Sequence, residues 1–198
     1  MSILEVKNVR AGYDPEVDVL QDVSFQVGEN ESVALIGANG AGKSSILKAI
    51  SGIVRIKSGE ILYQGERIDQ LLPHQIVERG VVQVPEEGGT FDTLTVEENL
   101  QISCRREVAK KNKEKNMEVV YSFFPILKEK RKELARSLSG GQRKMLSVGK
   151  AIMACPNLLL LDDISMGLAP KVVEELYDKL KTMTESLNIP IVIVEQIV

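Results

Sequence analysis

Residues 37–44 read Gly37-Ala38-Asn39-Gly40-Ala41-Gly42-Lys43-Ser44. The spacing is G-x-x-x-x-G-K-S, set between a short apolar run, Ser32 to Ile36, and a segment of helical character, Ser44 to Ile50. Such a loop needs small residues, because successive backbone N–H groups must curl around phosphate oxygens without interference from Cβ atoms. The helix start that follows adds the positive end of its dipole. In loops of this kind the lysine, here Lys43, meets the β- and γ-phosphates, and the hydroxyl, here Ser44, ligates Mg²⁺. Gly37, Asn39, Gly40, Gly42 and Ser45 complete the expected nucleotide cradle. A chance match in a chain this long has a probability of roughly 1%. The loop alone does not separate a kinase from a GTPase or a transport motor.

Outward from the loop, strands alternate with helices. Ile3 to Val9 and Val19 to Val27 alternate apolar and polar residues, which predicts antiparallel strands. Gly59 to Tyr63 and Gly80 to Val84 read as further strands, with a helix over about His74 to Arg79 between them. Thr95 with Glu98 three residues later makes a capping box for a helix running to about Cys104. Helices are also expected near Lys113 to Phe124, Ile126 to Lys132 and Gly141 to Ala154. Leu158 to Leu161 is a core strand, and Pro170 opens a helix in which Val172, Val173, Leu176, Leu180, Met183 and Leu187 recur at helical spacing. Ile191 to Val194 is a last core strand. The pattern predicts an α/β fold. Residues 1–87 and 141–198 would form a nucleotide-binding core with an antiparallel β subdomain, and 88–140 an all-helical subdomain.

Composition narrows the chemistry. The 198 residues are 43% hydrophobic and 27% charged with net charge −3, which excludes disorder and small disulfide scaffolds. The single histidine, His74, excludes a histidine triad and a zinc site of the usual His/Cys type. His74 is expected on an exposed helix. Cys104 and Cys155 suggest a reducing compartment and no disulfide framework, and both are expected in packed surroundings. The start Met1-Ser2-Ile3-Leu4-Glu5 lacks the apolar core of a signal peptide, and no apolar run approaches a membrane span, so a soluble intracellular protein is expected. Between Arg105 and Arg136 stand 11 basic and 5 acidic residues, a local +6 against −9 elsewhere. The ordinary reading is a solvated helical face; the functional one is contact with a membrane surface or an acidic partner. Nucleic acid is not expected from a lysine-rich stretch with few aromatic residues.

Leu138-Ser139-Gly140-Gly141-Gln142 would make a second anion nest at a helix start, with Ser139 and the Gly141 N–H as donors. One domain has little use for two nests around one triphosphate. Downstream of this phosphate loop, the pentapeptide resembles the signature of ATP-binding cassette (ABC) ATPases, and the resemblance runs from Tyr13 to Gln196. It implies a P-loop NTPase with a RecA-like core sheet, an N-terminal antiparallel β subdomain and an inserted helical subdomain. It also implies ATP and Mg²⁺ as ligands, and a head-to-tail dimer in which Ser139 and Gly141 of one protomer reach the γ-phosphate held by the other. Val84-Pro85-Glu86, Thr95-Val96-Glu97-Glu98-Asn99-Leu100, Gly167-Leu168-Ala169-Pro170 and Val194-Glu195-Gln196 further resemble the ATPase subunits of branched-chain amino acid importers. Urea-type importer ATPases look similar.

The resemblance assigns roles position by position. Tyr13 stands where the family stacks an aromatic on adenine. Asp162, closing the strand Leu158 to Leu161, would hold Mg²⁺ opposite Ser44. Glu86 takes the place of the usual Q-loop glutamine and could touch metal or attacking water, whereas Gln83 reads as a strand residue. Asp163 replaces the glutamate that normally polarises water, with about 1.5 Å less reach. Ile164 replaces the proline that usually follows, and Gln196 the switch histidine. A misplacement of about 1 Å can cost 10²-fold, so slow but real hydrolysis is expected.

Three functions fit these residues. The first is the ATPase subunit of an importer, partnered by a second ATPase subunit, alike or different, and by transmembrane permease subunits. It would sit on the inner face of the cell membrane, held there through the permease. The second is an ATP-gated dimerising module with weak hydrolysis. The third is a soluble cassette for DNA repair or translation, disfavoured because such proteins carry a coiled-coil insertion or a tandem second cassette. Family members usually continue on the order of 35–40 residues past the switch position. The resemblance therefore implies a truncated cassette whose last strand lacks its edge neighbours.

Overall fold

The alternation of the first segments produces two antiparallel strands, β1 (Ser2–Ala11) and β2 (Leu20–Gly28), in a computed structural model whose described residues are 2–14, 16–87 and 89–196. Their register slips between Val6 and Val9, where Asn8 takes a left-handed φ of 48° and its N–H donates to Ser24 Oγ at 2.8 Å. Opposite this bulge lies Gly59, at φ 88°; a Cβ there would fall 2.5 Å from the carbonyl oxygens of Lys7 and Asn8. Only glycine fits both the backbone and the space. Gly59 belongs to β4 (Ile56–Tyr63), which pairs antiparallel with β1 and begins three residues before the sequence pattern shows it, because the polar Lys57-Ser58 hides the start. The two-residue β5 (Glu66–Arg67), not evident from sequence, ends this sheet in the order β2-β1-β4-β5.

The second sheet holds β3 (Ser32–Gly37), β6 (Val81–Val84), β7 (Leu158–Asp162) and β8 (Ile191–Gln196) in the order β3-β8-β7-β6. β8 runs parallel to both β3 and β7, and Ile191 pairs with Ser32 on one side and Leu159 on the other. This overturns the expectation of a last strand without neighbours: β8 is interior, because the chain returns between two strands laid down earlier. Leu158 to Leu161 are each 0% exposed, as a strand buried on both faces requires.

The chain divides into two compact units. The first comprises Met1–Gln83, Asn157–Asp163 and Ile189–Val198. It contains both sheets, α1 (Lys43–Ile50) and α2 (Pro73–Glu78), and His74 lies exposed on α2 as expected. Its core gathers Leu4, Val6 and Ile61 of the antiparallel sheet, Leu47 and Ile50 of α1, and Leu160 and Val192 of the parallel sheet. Each such buried side chain contributes about 1.5–3 kcal/mol.

The second unit comprises Val84–Pro156 and Ile164–Asn188. It carries α3 (Val96–Gln101), α4 (Glu107–Lys111), α5 (Lys113–Phe123), α6 (Pro125–Glu129), a 3-10 turn at Ala135–Ser137, α7 (Gly140–Met153) and α8 (Pro170–Leu187). It thus takes in α7 and α8 beyond the 88–140 span read from sequence. The capping box at α3 is present: Glu98 N–H donates to Thr95 Oγ1 at 3.2 Å and Thr95 N–H to Glu98 Oε2 at 2.8 Å. The Thr95 N–H and hydroxyl, both donating to Glu98 Oε2 at 2.8 Å, hold the Glu98 carboxyl below its usual range. α3 ends at Gln101, short of the expected Cys104. α7 forms the centre of the unit; a Cβ on Gly149 would press Val120 of α5 at 2.9 Å and Leu100 of α3 at 3.1 Å. Along α8 only the middle of the apolar stripe is buried, at Leu176, Leu180 and Met183. Among the described residues no helix is long and apolar enough to cross a membrane.

Candidate functional site

β3 delivers Gly37 to the phosphate loop and α1 leaves it at Lys43. The N-cap of α1 is Gly42, at φ 88° and without a side-chain cap. A Cβ at Gly42 would come within 3.1 Å of Leu20 Cδ2 and Val19 O, so the position has neither the backbone nor the room for another residue. The first-turn N–H groups of α1 are left to an outside acceptor, as an anion site needs. Asn39 and Gly40 form the exposed tip of the loop. Lys43 Nζ donates to Gly37 O at 2.8 Å and to Ala38 O at 2.9 Å, which brings the ammonium over the loop.

The parallel sheet supplies the acids. Ser44 Oγ donates to Asp162 Oδ1 at 2.7 Å, with Asp162 buried at the end of β7. Asp163 follows with a left-handed φ of 41°; its N–H donates to Val194 O at 3.0 Å and its Oδ2 accepts from Gln196 Nε2 at 3.1 Å. Gln196 is itself paired with Gly37 across the β3/β8 ladder. Lys43, Ser44, Asp162, Asp163 and Gln196 therefore meet at one end of the parallel sheet. The Tyr13 hydroxyl lies 3.2 Å from Ser45 Oγ while its ring stays 63% exposed, with Lys48 Nζ 5.8 Å from the ring centroid. The exposed face can stack on a base. The tie to Ser45 was not evident from sequence.

Glu86, Ser139 and Gly141 belong to the second unit. Ser139 is the N-cap of α7: its Oγ accepts from Gln142 N–H at 3.3 Å, and Gln142 Oε1 accepts from Ser139 N–H at 3.1 Å. The Ser139 oxygen serves as a cap acceptor, while its O–H and the Gly141 N–H are not used by this box. A Cβ on Gly141 would meet Val172 Cγ1 at 2.7 Å. Both residues line a cleft with Gln142, Leu168 and Val172.

Three residues that sequence reading missed fix the segment bearing Glu86. The Lys144 ammonium donates to Glu86 O and that of Lys150 to Gly89 O. Lys150 Nζ also stands 4.4 Å from the Phe91 ring centroid, and burial lowers its pKa to about 8. Buried Asn99 accepts from Phe91 N–H at 2.7 Å and donates to Phe91 O at 2.9 Å and Thr95 O at 3.0 Å. Nothing in spacing or composition marks these lysines. Gln83, read as a strand residue, lies in β6 and accepts from Ser51 Oγ at 2.7 Å.

Known proteins match this arrangement. The ABC transporter family profile matches residues 20–165. The chain is 38% identical over 184 residues to BraG of Pseudomonas aeruginosa, a high-affinity branched-chain amino acid transport ATP-binding protein, covering 93% of this chain and 78% of that protein. It is 35% identical to LivF of Archaeoglobus fulgidus, a probable branched-chain amino acid transport ATP-binding protein, covering 98% and 81%. Likeness also extends to LptB of Haemophilus influenzae, a lipopolysaccharide export system ATP-binding protein, at 34% identity over 89% and 73%. Among solved structures, the ADP conformation of MJ1267, an ATP-binding cassette of an ABC transporter, superimposes with a TM-score of 0.85 at 25% identity, covering 100% of this chain and 82% of that one.

Proposed function

The chain belongs to the ABC transporter family, whose ATP-binding subunits are ATPases coupled to transport, and from that premise we propose that it powers the uptake of branched-chain or related hydrophobic amino acids. The observation that carries this reading is the meeting of Lys43, Ser44, Asp162, Asp163 and Gln196 at the ends of β3, β7 and β8. The identities to BraG and LivF support the substrate class.

In this proposal Lys43 and the N–H groups of Gly40, Gly42 and Ser44 bind the β- and γ-phosphates of ATP, and Tyr13 stacks on adenine. Ser44 Oγ and Asp162 offer a hydroxyl and a carboxylate oxygen 2.7 Å apart, a donor set suited to a hard cation. When bound, Mg²⁺ would supply charge neutralisation to the phosphates. Glu86 would meet the metal or the attacking water. Asp163 accepts the proton of attacking water, and Gln196, already bonded to it, orients that carboxylate and senses the γ-phosphate. Ser139 and Gly141 meet the γ-phosphate bound to a second ATPase subunit, and the closed dimer drives a permease at the inner face of the membrane.

One observation favours a slower variant of this motor. Asp163 is a methylene short of glutamate and its Oδ2 is held by Gln196, so the protein would close on ATP readily and hydrolyse it slowly. Steady-state phosphate release from wild type, Lys43→Ala, Asp163→Ala and Asp163→Glu, with and without permease, tests both readings. Wild-type turnover well above that of Asp163→Ala supports the catalytic role. Equal rates for the two, with a large gain in Asp163→Glu, would remove it. Permease-dependent leucine uptake in proteoliposomes tests the substrate class, and ATP-driven lipid extraction instead would refute it.

A further inference from the structure

The two cysteines of the chain, far apart in sequence, come together in the second unit. Cys104 lies in the irregular stretch between α3 and α4. Cys155 follows α7 with a left-handed φ of 55°. The Cys104 thiol donates to Met153 O at 3.6 Å, and Arg106 Nη1 donates to Cys155 O at 2.6 Å, so residues 104–106 run along residues 153–155. Met153 stands two residues before Cys155, so the Cys104 thiol lies beside the segment that carries the second cysteine. Neither cysteine lies within a helix or strand, and each is tied to the helix end it follows, Cys104 N–H to Gln101 O at 3.1 Å and Cys155 N–H to Ile152 O at 2.9 Å. Both thiols are half-buried rather than sealed.

Their surroundings are polar and carry cations. Asn116 Nδ2 donates to Cys155 Sγ at 2.9 Å. Burial pushes the Cys104 thiol up, Lys113 draws it back down, and Cys155 and Glu114 push it further up. The neighbouring sulfur is thus part of the electrostatic environment of Cys104.

We propose that Cys104 and Cys155 form a dithiol site that low-molecular-weight disulfides, such as oxidised glutathione, convert to an intramolecular disulfide. The Cys155 thiolate attacks one sulfur of the small disulfide, forming a mixed disulfide and expelling one thiolate. Cys104 gives its proton to solvent and attacks the Cys155 sulfur, which forms the protein bridge and expels the second thiolate. Two protein thiols are oxidised by two electrons, and one small disulfide is reduced to two thiols. The bridge ties the α3–α4 connection to the end of α7, the helix whose first turn carries Ser139. In a reducing compartment such a bond is transient and responds to redox state.

The test uses the full chain, reduced, then incubated with excess oxidised glutathione and quenched with N-ethylmaleimide. Intact-mass measurement should show the loss of two hydrogens, with neither glutathione nor maleimide attached, and a digest should yield one linked pair of peptides containing residues 104 and 155. Cys104→Ser should retain a single glutathione on Cys155 that nothing displaces, and Cys155→Ser should be recovered with one maleimide. Recovery of wild type with two glutathiones, with two maleimides, or as a covalent dimer would overturn the proposal.

Discussion

At the start of α1 the N-cap is Gly42, in the left-handed region and with no side chain to offer; at the start of α7 it is Ser139, locked with Gln142 in a reciprocal capping box. Both helices open from glycine-rich sequence, and both read from sequence as anion nests. The first leaves its N–H groups for a ligand and depends on Gly42 because Val19 and Leu20 crowd the position. The second has already satisfied its Gln142 N–H from within, leaving Gly141 N–H outside the box. The two starts are therefore unequal: α1 leaves its first N–H groups for an acceptor, while α7 caps itself and, in the proposed dimer, would only add a contact to a phosphate.

The largest expected effect separates the two starts by chemistry. Lys43→Ala should lower steady-state ATP turnover by at least about 10²-fold while leaving the urea midpoint almost unchanged, since Lys43 bonds only carbonyls of its own loop. A large loss of stability in that variant would mean the loop is held by its lysine and not by its glycines. Next in size, Ser139→Ala should lower unfolding stability by about 1 kcal/mol through the lost cap, read by urea denaturation without nucleotide. No stability change would show the capping box to be idle and restore Ser139 to the same class as the α1 start.

Two smaller effects probe what lies beneath each start. In the first unit, Asp69 accepts from Ile61 N–H at 3.0 Å and pairs with Arg67 at 2.9 Å. Burial pushes its carboxyl up, but Arg67 and the Ile61 N–H outweigh this and hold it below its ordinary value. A depressed carboxylate stabilises the fold above its unfolded pKa and loses that contribution as pH falls through the folded one. Asp69→Asn should therefore differ most from wild type near neutral pH and converge with it below about pH 4. In the second unit the sign reverses. Lys150 titrates near 8 when folded and near 10.5 when unfolded, so between those values the unfolded chain binds more protons and stability rises with pH. Relative to Lys150→Met, wild type should gain about 1 kcal/mol between pH 7 and pH 10, allowing for solvent screening. A flat difference would show the ammonium to be solvated.

Much of this was legible because local chemistry and global fold agree. The phosphate loop, the Thr95/Glu98 cap and the run Leu158 to Leu161 each carry their structural reason within a few residues. What escaped reading depends on contacts between distant segments. The early start of β4 rests on pairing with β1, not on its own polar residues. The anchoring of Glu86, Gly89, Phe91 and Thr95 by Lys144, Lys150 and Asn99 leaves no periodic trace, because a side chain bonded to a carbonyl elsewhere looks in sequence like any polar residue. The meeting of Cys104 with Cys155 is of the same kind.

The position of β8 bears on how the protein is made. β3 carries the phosphate loop and β7 carries Asp162, and in the sheet each reaches the other only through β8. A growing chain emerges at about 5–20 residues per second, and domains tend to fold as units once complete. Gly37 and Asp162 can be synthesised, and the antiparallel sheet paired, long before residues 191–196 appear. Until β8 inserts, the nucleotide cradle has no fixed width. ATP can then stabilise only chains that have inserted β8, so the ligand would act during biosynthesis as a check on that insertion as well as a fuel afterwards.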